Sequence, residues 1–309
     1  MEGATETQAV VGTLSEHYVR ATRALADGRS LAVSLEFDVA RAEFTTRWGS
    51  IYSEVKDRPQ DAQAASQRLI AEQPRLTGLT LAMARCDAVK LFRDFKRLLE
   101  FLISETEGLP GYAATSAIPH VQAGFLYMSA SLAAVHFEAW DVLRELLNAK
   151  FEYSYRSGRP LFSHGFDHPY FFHSEAFGRQ ATRIHDLFRQ RLMNSPDIKQ
   201  ATGLADEDLL NTYLQAQILM CLKAAQLCEQ GEDVQMWADF GRFLGGRVAA
   251  LFERVHEDPG FAVGLCKSFG ESPQEFLTNI NPRLAFISSH FWTPGRYFFE
   301  SLTSWEPAR

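Results

Sequence analysis

Apolar residues return at intervals of three, four and seven along almost the whole chain, and strict alternation is nearly absent. Such spacing gathers them on one side of a helix but scatters them over both faces of a strand. An all-α protein is therefore expected, either a multi-helix bundle or an irregular array of helical hairpins, with no sheet of consequence. Phe37, Phe44, Trp48, Ile51, Tyr52 and Val55 make one stripe, and Pro59 in KDRP supplies its stop. The alanine- and glutamine-rich QDAQAASQRLIAEQ leads into LTGLTLAMARCDAVKLFRDFKRLLEFLISE, which reads as the longest helical stretch with Leu91, Phe95, Leu98 and Leu102 facing inward. After the break TEGLPGY, the segment from Ile118 reads as two helices or one bent helix closing near Lys150.

Residues 151–173 depart from this pattern. They hold glycines, prolines, histidines and mixed charges without helical period, as a binding loop, a lid or a linker would. They divide the chain into an N-terminal helical region, residues 1–150, and a C-terminal helical region, residues 174–309, the two forming separate units or one continuous domain. Helical spacing resumes at a Ser174 cap. ADEDLLNTYLQAQILMCLKAAQLCEQG opens on an acidic turn and ends at Gly231, as the helix dipole and C-cap preferences favour. Phe240, Leu244, Val248, Leu251 and Val255 share one side of the next helix, which Pro259 closes. SPQEFLTNI is a capping box, with Ser272 as N-cap, Pro273 at N1 and Glu275 at N3.

A formal charge of −7, with both signs interleaved, gives no basic footprint for nucleic acid, although a local basic site stays open. The start MEGATETQAV lacks a basic region before an apolar core, and no apolar run approaches a membrane span, so a cytoplasmic protein without a membrane anchor is expected. Cys86, Cys221, Cys228 and Cys266 lack zinc-site spacing and are too sparse for a disulfide scaffold, so they read as core residues. No phosphate-binding, dinucleotide or serine-elbow motif appears, and no cofactor is expected.

Three constellations remain. His164, Asp167, His168 and His173 offer imidazole and carboxylate donors that suit zinc, iron or manganese. Gly165 and Pro169 argue against a helix that would aim His164 and His168 at one ion, and an ordinary loop uses the same side chains as caps. Arg156, Arg159 and Arg183, with Arg179, Arg189 and Arg191 nearby, could grip an anion, although interleaved acids equally make a solvated, salt-bridged face.

RQATRIH, carrying Arg179 and His185, is similar to the motif of the HEPN family of helical ribonucleases. That resemblance implies metal-independent RNA cleavage, with the histidine as general acid or base and the arginine stabilising charge on the phosphate. Gln180 departs from the family's usual asparagine, aspartate or histidine. The two residues also lie about 120° apart around a helix.

LFSHGFDHPYFFHSEAFGRQATRIH, followed by MWADFGRFLGGRVAALFERVHEDPGFAVGLCKSFGESPQEFLTNI, resembles the helical C-terminal segments that follow Schlafen-type AlbA, TIR or sirtuin-like effector domains in bacterial conflict proteins. Such segments are taken to oligomerise, sense or dock a partner, and no effector motif is visible upstream in this sequence, so the expected effector is a separate polypeptide. The aromatic tail, with Phe291, Trp292, Tyr297, Phe298 and Trp305, reads as docked into the core or as a partner surface. The expectation is a non-enzymatic binding or regulatory protein that contacts another protein or itself, as a partner or sensor subunit in bacterial defence. The ribonuclease and metal-binding readings are the alternatives.

Overall fold

The computed structural model describes residues 13–105, 113–152, 158–164, 189–234 and 245–290. The chain is all-α. Among the described residues there is no strand, and the one β-type pairing is an isolated antiparallel bridge between Lys150 and Pro160. The helices are α1 (Leu14–Ala26), α2 (Ser30–Val55), α3 (Ala62–Ala71), α4 (Pro74–Arg85), α5 (Phe92–Ser104), α6 (Ala113–Ser116), α7 (Ile118–His136), α8 (Trp140–Asn148), α9 (Leu161–His164), α10 (Pro196–Thr202), α11 (Asp206–Glu229), α12 (Gly245–Glu257), α13 (Pro259–Phe269) and α14 (Pro273–His290).

Local chemistry sets most of the boundaries. Thr13 and Glu16 close a capping box on α1, with Thr13 Oγ1 accepting from the Glu16 amide at 3.2 Å and the Glu16 carboxylate accepting from the Thr13 amide at 2.7 Å. Ser272 and Glu275 do the same for α14, at 3.3 and 2.8 Å. Pro259 both follows α12 and opens α13, whose N-cap Asp258 accepts from the Phe261 amide at 3.0 Å. The stretch expected as the longest helical run is instead two helices, α4 and α5, parted at Cys86–Ala88. Asp87 takes a left-handed φ of 44° there. Its carboxylate accepts from the Val142 amide at 2.9 Å, and so caps α8, whose own N-cap Ala139 has no side chain to do so. The segment after Ile118 is also two helices, α7 and α8.

α7 is the axis of the molecule. Every residue from Ile118 to Val135 is buried, as a helix apolar on all sides must be. α3, α4, α5, α8 and α11 all pack on it. Its hydroxyls are satisfied inside the core: Ser129 and Ser131 donate to carbonyls one turn back, and Tyr127 donates to the Leu146 carbonyl of α8 at 2.6 Å. α14 packs on α11, where Arg283, 2% exposed, forks between Glu229 and Glu271. α13 packs on α8, and α10 packs on α1. Cys221 and Cys266 are fully buried and Cys86 and Cys228 half-buried, with burial pushing the Cys266 thiol up to about 12. No helix among the described residues is long and apolar enough to cross a membrane.

Candidate functional site

α1 and α2 form an antiparallel hairpin on the outside of the bundle, turned at Asp27–Arg29. α1 is drawn against α4 by Gly78, where a Cβ would lie 2.9 Å from the Leu14 carbonyl oxygen, the Tyr18 amide nitrogen and His17 Cβ. That approach leaves a groove of about 930 Å³ along the outer side of the hairpin, a volume in the range of ligand sites. Ala21, Ala24, Val33 and Leu79 give it an aliphatic floor, and Asp197 and Gln200 of α10 stand at its border.

Charge is arranged along the walls. Arg20 and Arg23 of α1 and Arg29 at the turn bring guanidinium groups to the hairpin end. Arg29 pairs with Asp27 at 2.8 Å, whereas Arg23 makes no ion pair with a described residue. Arg20 approaches Glu36 at 3.5 Å, and Glu36 also receives Arg75, which in turn holds Glu43 at 3.0 Å. His17, 5% exposed, sits beneath this network with Nδ1 3.0 Å from Arg20 Nη2. The guanidinium can only donate, so Nδ1 accepts and the ring proton is on Nε2. Burial, then the charges of Arg75 and Arg20, hold its pKa below the ordinary histidine value.

Among the described residues, the large apolar side chains left exposed gather mostly on the same hairpin. Val19, Leu31, Leu35 and Val39 belong to it, and Val263 lies elsewhere. Of these only Val19 lines the groove, where with Ala21, Ala24, Val33 and Leu79 it sets apolar surface beside guanidinium donors. Of its carboxylates, Glu36 is paired with Arg75 and Glu16 is engaged with Thr13 in the α1 cap, while Asp197 stands at the border. This chemistry suits recognition of an amphiphilic, acid-bearing surface.

Most of the residues singled out from the sequence lie outside the described residues. Arg159 is exposed beside the Lys150–Pro160 bridge, and its carbonyl accepts from the Phe151 amide at 2.8 Å. His164 ends α9, but its side chain lies outside the described residues, as do Arg156, Asp167, His168, His173, Arg179, Arg183 and His185. Phe291, Trp292, Tyr297, Phe298 and Trp305 lie outside them too. Among the described residues no group of three histidine, cysteine or acidic side chains is placed to hold a metal. His17, Arg20, Arg23 and Glu36 were not singled out. Their spacing carried no signal of its own, because the groove is assembled from separate helices. Comparison of the chain with family models, curated proteins and solved structures finds no match.

Proposed function

We propose that this is a cytoplasmic, non-enzymatic binding protein that seats an acidic amphipathic helix of a partner protein in the α1–α2 groove. The observation that carries the reading is the pairing of an aliphatic floor with the guanidinium groups of Arg20, Arg23 and Arg29 in one elongated concavity. α1 is 13 residues long, about 20 Å at 1.5 Å per residue, which matches three to four turns of a docked helix. Leucine or isoleucine at i and i+4 would enter the floor, and aspartate or glutamate beside them would meet Arg23, which makes no ion pair with a described residue. This is the role that the likeness to helical segments of bacterial conflict proteins implies: a partner or sensor subunit in defence, with the effector on another polypeptide.

Selection from a displayed library of amphipathic helices tests it. Enriched peptides are expected to carry acidic residues beside an aliphatic stripe, and to lose binding to an Arg20→Glu, Arg23→Glu double variant. Failure to enrich, or enriched peptides that bind the double variant equally well, rejects the reading.

A further inference from the structure

α2 has a second face that the fold does not use. Phe37, Ala40, Phe44, Trp48 and Ile51 are buried against the bundle. At about 100° per residue, the opposite side carries Leu31, Leu35 and Val39 in its first half, and Ala42, Thr46, Gly49 and Ser53 in its second. All seven are exposed, Leu31 at 72% and Leu35 at 57%. None is charged, over about 33 Å of helix.

Three features mark this face as a contact surface. Its hydroxyls do not depend on water, because Thr46 and Ser53 donate to the carbonyls of Ala42 and Gly49 at 3.2 and 2.9 Å. Some of the charges on its flanks are matched within the chain, Asp38 by Arg41 at 2.8 Å and Glu43 by Arg75 at 3.0 Å, while Arg47 makes no ion pair with a described residue. Gly49 lies mid-helix, where glycine weakens the helix, yet a Cβ there would meet nothing within 4 Å. Nothing in the chain itself requires that side chain to be missing.

The order of sizes supplies a requirement. Leu31 and Ser53 stand eleven residues either side of Ala42, and Leu35 and Gly49 stand seven either side. An antiparallel second α2 related by a twofold axis at Ala42 therefore lays Leu35 over Gly49 of the second copy and Leu31 over its Ser53, with Val39 beside its Thr46. Large residues meet small ones in both directions at once, as an isologous interface demands. We propose that the protein forms a homodimer through this face, its two α2 helices antiparallel across Ala42. A strip about 33 Å long and roughly 10 Å wide is well below the roughly 800 Å² per partner of a standard interface, so the dimer is a weak, concentration-dependent one. The groove borders Arg29, Ala32 and Glu36, on another flank of α2, so this inference stands independently of what the groove binds.

Sedimentation velocity of the full chain from roughly 1 to 200 μM tests it. The wild type is expected to pass from monomer to dimer across that range. Gly49→Leu fills the receiving hollow and is expected to weaken the dimer at least about 30-fold, while circular dichroism stays unchanged. Adding Leu35→Ala to Gly49→Leu exchanges knob and hollow and is expected to restore association. A wild type that stays monomeric, a dimer indifferent to Gly49→Leu, or no rescue by the exchange overturns the proposal. A second measurement holds whether or not these variants fold well. In a Cys86→Ser, Cys228→Ser background, Ala42→Cys is expected to form an intermolecular disulfide with its twin on air oxidation and Leu31→Cys not to do so. The reverse pattern contradicts the twofold.

Discussion

At the scale of single residues, two side chains define how the hairpin sits. Gly78 lets α1 approach α4 closely, and the atoms that a Cβ would meet include the backbone of Leu14 and Tyr18. Backbone inside a packed helix cannot step aside cheaply. Gly78→Ala is expected to destabilise the fold by about 1–3 kcal/mol, read from urea unfolding, whereas the same change at the open Gly49 is expected to stabilise it by up to ~1 kcal/mol. His17 gives a pH signature. Its folded pKa lies below the unfolded value near 6.5, so the unfolded chain takes up the proton first. Its contribution to stability is full above about 6.5 and is lost as the pH falls below it. Half-buried His136, lowered first by burial, acts in the same sense, although Nε2 donates to the Thr202 carbonyl at 2.8 Å. Melting temperature is expected to fall from pH 7.5 to 5.5, and less steeply in His17→Gln; an identical slope contradicts the buried neutral ring. Neither residue was legible in advance, because a histidine at a helical spacing does not reveal which basic groups other helices will bring beside it.

At the scale of elements, much could be read from the chain because helix ends carry their own chemistry. Gly231 follows α11 at a φ of 87°, the Ser272–Glu275 box opens α14, and the Phe37–Val55 stripe is the buried side of α2. The split between α4 and α5 was missed for a physical reason. Cys86–Ala88 contains neither glycine nor proline, and the turn is held by a partner far along the chain, the amide end of α8 that Asp87 caps. Removing the carboxylate should therefore be felt at α8. Asp87→Ala is expected to cost about 1–2 kcal/mol and to speed amide exchange at Val142, with Asp87→Asn milder. Exchange unchanged at Val142 would deny the cap. Arg283 is the corresponding clamp for α11 and α14. Burial works to raise the Glu271 pKa, but the Arg283 guanidinium overrides it and holds the carboxyl below the usual range. Arg283→Ala strands this carboxylate and is expected to cost about 3–5 kcal/mol by denaturant titration.

At the scale of the whole molecule, the all-α architecture follows from periodicity repeated over many helices, but the site could not be read the same way. The groove joins α1, α2 and α10, and Asp197 is more than 140 residues from the hairpin it borders. The histidine-rich stretch drew attention because unusual residues crowd together in sequence, whereas the groove is made of ordinary ones brought together by packing. The outward face of α2, separate from the groove, did carry an advance signal, because Leu31, Leu35 and Val39 lie on the side that the bundle does not need. Hydroxyl-radical footprinting of the full-length protein at rising concentration reads those side chains directly. Leu31, Leu35 and Val39 should become protected together as concentration increases, with exposed Val263 as the unchanged internal control. Oxidation of all four that is independent of concentration would mean that the outward face of α2 meets only water.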